Sequence, residues 1–95
     1  MRAGWAAYWR AGQLFIQRFP FLPAAEYPDR GCSFETYTDA RILELESLGP
    51  LATLQPGASV EHVEHWHLVR DVPPVAHESD VTAHILPHLP APLAA

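Results

Sequence analysis

The sequence predicts an all-β fold of antiparallel strands with one short helix near the C-terminus. Three observations carry that prediction. Five short runs read as strands, four rich in aromatic or β-branched residues, which suit a pleated, half-buried surface, and one by apolar–polar alternation. Ten prolines punctuate a chain of 95 residues; inside a helix or a central strand each removes a backbone donor. Only one segment opens on a helix-start signal, Ser79 with Asp80 behind it.

The elements follow in order. Residues 5–9 (WAAYW) and 13–19 (QLFIQRF) flank Ala11-Gly12 and read as a β-hairpin. Pro20, Pro23 and Pro28 then lead into Asp29-Arg30-Gly31, so residues 20–31 are a surface loop. Residues 32–38 (CSFETYT) alternate and form a strand, and Asp39-Ala40 is a tight turn. Residues 41–48 (RILELESL) contain helix formers. The run is short, however, and Leu43 and Leu45 alternate with Glu44 and Glu46 before Gly49-Pro50, which makes it a strand.

After the Pro56-Gly57 turn, residues 59–70 (SVEHVEHWHLVR) are the longest strand. Its period of two puts Val63, His65, His67 and Val69 on one face, and His62, Glu64, Trp66 and Leu68 on the other. Residues 79–86 form the helix, which stops at Pro87. Residues 1–86 are read as the folded part, and 87–95 as a frayed Pro/Ala-rich tail.

Composition narrows the function. Apolar residues make up 48% of the chain, enough for a packed core and against disorder. There are 6 basic residues, all arginine, against 11 acidic ones, for a net charge of -5. Nothing forms a basic patch, so neither a nucleic-acid phosphate backbone nor an anionic membrane surface is an expected partner. No apolar run reaches the roughly 18–20 residues that cross a bilayer, and a soluble chain is expected. The single cysteine, Cys32, forms no intramolecular disulfide; the reducing cytoplasm is the expected compartment.

Several residue groups are candidates for chemistry. Glu44 and Glu46, at i and i+2 on a strand, point to the same face. On an open face they are solvated charge. On a concave face each raises the pKa of the other, which suits one of them to general acid–base work. His65 and His67 also share a face, about 6.5–7 Å apart along the strand, within reach of one metal, whereas His62 points the other way. A cupin-type site would need a third ligand such as Glu35 or Asp39, and its motif spacing fails here. The cofactor expectation is therefore none. Trp5, Trp9, Tyr37 and Trp66 either fill the core or stack on the apolar faces of sugar rings. No nucleophile elbow, phosphate loop or CxxC occurs.

One stretch carries a family pattern. It runs through Tyr27-Pro28-Asp29 with Gly31, Phe34-Glu35-Thr36-Tyr37-Thr38 and Leu45-Glu46-Ser47-Leu48-Gly49-Pro50. It continues in Pro56-Gly57 and the alternating His62, Glu64, Trp66 and Leu68, with residues 4–19 as a preceding strand pair. In these motifs the chain resembles the C-terminal part of an uncharacterised bacterial family in the galactose mutarotase-like, or aldose 1-epimerase-like, superfamily.

The resemblance implies an antiparallel supersandwich with a sugar-binding cleft on its concave face, and an aldose as ligand. It places Glu46 as the general base that removes the anomeric proton, with Glu44, Tyr37 and Trp66 as substrate contacts. The general-acid histidine of such proteins lies well upstream, and none of the six histidines here matches its motif. The chain is also far too short for a whole supersandwich. Met1 is thus expected to begin a fragment, inactive alone and prone to self-association through open strand edges. The alternatives are a small non-catalytic β-sandwich that binds sugar and, behind it, a cupin-like metal protein.

Overall fold

The computed structural model describes residues 3–93. Met1, where a truncated start was expected, and the last two residues of the tail lie outside the described residues. The protein is mostly β, with five strands in two antiparallel sheets and a short helical segment near the C-terminus. Strands β1 (Trp5–Arg10), β2 (Gln13–Arg18) and β5 (His65–Val69) form one sheet in the order β1-β2-β5. Strands β3 (Phe34–Thr38) and β4 (Leu43–Ser47) form the other.

The expected hairpin is present, in register from Trp5↔Arg18 to Arg10↔Gln13. Ala11 (φ 51) and Gly12 (φ 82) both sit in the left-handed region, the geometry whose twist matches a two-residue hairpin loop. Alternation puts Trp5, Ala7 and Trp9 on the same face as Leu14 and Ile16, joined from β5 by Val69. Leu14 and Ile16 are fully buried, each worth about 1.5–3 kcal/mol of apolar transfer. Val72, Val75, Val81, Ile85 and Leu89 cover that face from the C-terminal part of the chain. Trp9 donates its indole N–H to Val72 O at 3.0 Å, and Val72 N–H reaches Gly12 O at 2.9 Å.

Strand β5 is shorter than expected. Its pairing with β2 runs from Leu14↔Val69 to Arg18↔His65. Pro20 lies just beyond, so residues 59–64 find no continuing ladder. The helical segment starts at Glu78 with His77 as its cap: Asp80 Oδ2 accepts from the backbone N–H groups of Ala76 (2.9 Å) and His77 (3.0 Å). It widens to a π-helical stretch over Val81–Ile85 and continues through Pro87 as a 3-10 turn, Leu86–His88. Proline fits there because a first-turn N–H has no intrahelical partner.

The tail docks where fraying was expected. Leu89 packs on the core, and Ala91 O accepts from Arg18 Nε at 3.4 Å. Arg18 is 5% exposed and also donates to the carbonyls of Ala3 (3.2 Å) and Gly4 (3.5 Å), so one guanidinium ties both ends of the described chain. No helix among the described residues is long and apolar enough to cross a membrane.

In the proline-rich loop, Pro28–Gly31 is a tight turn with Asp29 (φ 52) and Arg30 (φ 65) left-handed. Asp39 closes the β3–β4 turn: its Oδ1 accepts from Arg41 N–H (2.8 Å) and Ile42 N–H (3.0 Å). Both backbone donors favour the charged form and hold the Asp39 carboxyl below its ordinary range.

Candidate functional site

Strand alternation divides the β3–β4 sheet into two unlike faces. Phe34 and Ser47 lie opposite one another in register and share the face that meets the three-stranded sheet. Phe34 stacks on Phe19 with ring centroids 5.8 Å apart, and Ser47 hydrogen bonds to Glu64. Glu35, Tyr37, Glu44 and Glu46 therefore line the opposite face, with Glu35↔Glu46 and Tyr37↔Glu44 as cross-strand pairs.

Of the sequence-predicted site residues, Glu44, Glu46 and Tyr37 thus come together on one open surface. Side-chain hydrogen bonding to the neighbouring Glu44 carboxyl is the main cause that raises the Glu46 pKa above its ordinary value. Slight desolvation and the Glu44 charge act in the same direction. Glu35 is raised likewise, first by a carboxyl–carboxyl hydrogen bond with Asp29, then by desolvation and by the charges of Asp29 and Glu46. The two carboxyl groups with raised pKa, Glu35 and Glu46, therefore face each other across the strands. Tyr37 is half-exposed and its hydroxyl donates to Asp39 Oδ2 at 3.5 Å.

Trp66 does not join them. It lies on β5, on the face of the three-stranded sheet that β3–β4 partly covers, beside its cross-strand partner Gln17. It is 66% exposed, although its kind is expected in a core. Its indole is nevertheless fixed: Nε1 donates to Glu64 Oε1 at 3.0 Å, and Phe15 meets the ring edge-on at 5.7 Å. Trp5 and Trp9, by contrast, pack against the core.

Between the sheets lies a polar joint that sequence reasoning did not assemble. Glu64 Oε2 accepts from Ser47 Oγ and from Gln17 Nε2 (3.3 Å), and Gln17 Nε2 also faces Leu45 O at 3.4 Å. His62 Nε2 lies 2.8 Å from Ser47 Oγ. The one Ser47 proton points to Glu64 Oε2, so His62 Nε2–H donates to Ser47. A base that donates to the hydroxyl does not activate it; the trio holds the sheets together and is not a hydrolytic triad. The placement of Glu64 and Trp66 on one face follows from strand alternation. Gln17, one of three polar residues on β2, gave no sequence signal.

His65 and His67 both belong to β5, on the core-facing side opposite Arg18 and Ile16. His65 is exposed, and His67 Nε2 is buried with no partner among the described residues. No group of three His, Cys, Asp or Glu gathers among the described residues to hold a metal. Cys32 is half-buried, its Sγ 2.9 Å from Asp29 O. No family model, curated protein or solved structure matches the chain.

Proposed function

We propose that the protein is the C-terminal part of a carbohydrate-active, mutarotase-like β-sandwich, acting on an aldose in the cytoplasm. Glu46 is its general base and Glu44 and Tyr37 its substrate contacts. The observation that supports this is the Glu44–Glu46 pair on the open face of β3–β4. A carboxyl group with a raised pKa exchanges protons nearer neutral pH, where the anomeric hydroxyl of an aldose must lose one. Ring opening, rotation and reclosure then need a proton on the ring oxygen, which the upstream general acid supplies in this reading. The 95-residue chain alone is inactive on the same grounds.

Polarimetry of freshly dissolved aldose, with the longest product of the reading frame, tests the assignment. Glu46→Gln is expected to abolish catalysed mutarotation while sugar binding persists. Wild-type rates in that variant would end the case for Glu46.

A second reading, a non-catalytic sugar-binding module, is favoured by Trp66. An exposed indole fixed by Glu64 and Phe15 is a ready-made stacking platform. Here a saturable sugar-dependent change in tryptophan fluorescence is expected to vanish in Trp66→Ala.

A further inference from the structure

The outer edge of β5 carries no strand among the described residues, since the sheet ends there in the order β1-β2-β5. The chain leading into it is equally bare. Residues 59–63 are exposed and lie outside both sheets, with Val60 63% and Val63 49% exposed. From Ser59 to Val69 there is no proline or glycine, and β-branched and aromatic residues recur. Such an edge is a template for another strand.

The sequence of this edge is its own complement. An antiparallel pairing of two copies about Val63 sets Glu61 opposite His65 and His62 opposite Glu64, each twice by symmetry. Val63 meets Val63 on the two-fold axis, and Val60 meets Trp66, an aromatic–β-branched pair of the kind that stabilises sheets. Residues facing each other in this register share a face of the sheet, as cross-strand pairing requires. A slip of one residue destroys the match: it sets Glu61 opposite Glu64 in one direction and His62 opposite His65 in the other. Two copies of net charge -5 repel at long range, so a contact between them requires this local complementarity.

We infer that the protein forms a two-fold homodimer by antiparallel addition of residues 60–66 across the β5 edge, centred on Val63. The three-stranded sheets of the two copies become one continuous sheet. Each copy uses the edge once, so the assembly closes at two. Glu61 and His65 are exposed and free for the contact. His62 and Glu64 enter with their bonds to Ser47 in place: His62 presents its other ring nitrogen, and Glu64 Oε1, which accepts from Trp66 Nε1, has a second lone pair. The dimer uses neither Glu46 nor Tyr37 and is independent of the mutarotase reading; it shares only Trp66 with the sugar-stacking one.

The test is size-exclusion chromatography with light scattering over a dilution series of the 95-residue chain, at neutral pH and low salt. The expected result is a dimer that dissociates on dilution. Val63→Pro removes the pairing on the axis and is expected to give a monomer. Its circular dichroism should match wild type, because Val63 lies outside every strand of the fold. His65→Glu sets like charges opposite one another at two places and is expected to weaken the dimer about tenfold. Adding Glu61→Lys to His65→Glu reverses the pair and is expected to restore it. A monomer at every concentration, an open series of larger species, a dimer that survives Val63→Pro, or a failure of the reversed pair to restore association would each overturn the inference.

Discussion

Gly4 and Gly12 offer a paired test of what holds the hairpin in place. Both have positive φ, +70 and +82 respectively, so alanine at either position meets the left-handed penalty of roughly 1–2 kcal/mol. Alanine also restricts the unfolded chain, which returns about 0.4–1 kcal/mol. At Gly12 the account ends there, because a Cβ would meet no atom within 4 Å. The net cost of Gly12→Ala is about 0.5–1 kcal/mol. At Gly4 the same Cβ would lie 2.9 Å from the backbone oxygen of Phe19. That carbonyl has little room to yield, since Phe19 N–H is bonded to Gly4 O at 3.0 Å. Relieving the clash stretches this bond, at about 0.5–1.5 kcal/mol. Gly4→Ala should therefore cost about 1–2.5 kcal/mol in all. For a domain of this size each kcal/mol moves Tm by roughly 4–8 °C. Urea unfolding followed by tryptophan fluorescence measures both variants. Equal losses at the two glycines would refute the steric argument, and no loss at Gly12 would refute the strain argument.

Three further outcomes follow from the core and the titrating groups. Leu14→Ala, at a fully buried position, should cost about 2–5 kcal/mol by chemical denaturation. Glu46 has a folded pKa above its unfolded value, so its stabilising protonation is complete below the unfolded pKa and is lost as pH rises through the folded one. Glu46→Gln should accordingly melt higher than wild type at neutral pH, with the difference closing below the ordinary glutamate range. Asp80 runs the other way: bonds from the Ala76 and His77 backbones lower its pKa. Its stabilisation is present above the unfolded pKa and fades as pH falls through the folded one. Asp80→Ala should lower Tm at neutral pH and be nearly silent in strong acid, as read by circular dichroism across a pH series.

The strands were legible because their signals are local. Ala11-Gly12 sits between two aromatic runs, and Glu44 and Glu46 alternate with leucines, so the hairpin and the shared carboxylate face could be read residue by residue. What could not be read depends on partners distant in sequence. The N-terminal limit of β5 is set by where β2 ends, at Arg18 ahead of Pro20. The docking of the tail depends on a buried arginine whose acceptors are backbone carbonyls, which leave no mark in composition. Trp66 resembles a core residue by type, and only the sheet order places it outside. The Ser47–Glu64–Gln17 joint ties β4 and β2 to the segment just ahead of β5, which no spacing rule encodes.

The strand order has a consequence for how the protein is made. The apolar face of the β1–β2 hairpin is complete once residue 18 has emerged, yet its neighbour β5 begins at His65 and its cover includes Ile85. At about 5–20 residues per second of synthesis, Leu14, Ile16 and the flanking tryptophans wait several seconds without a partner. Closing the ring from Trp9 to Val72 also carries the slow, non-local loop entropy of such pairings. The nascent hairpin is thus the window in which chaperone capture or aggregation competes with folding, and that window closes only when the last quarter of the chain arrives.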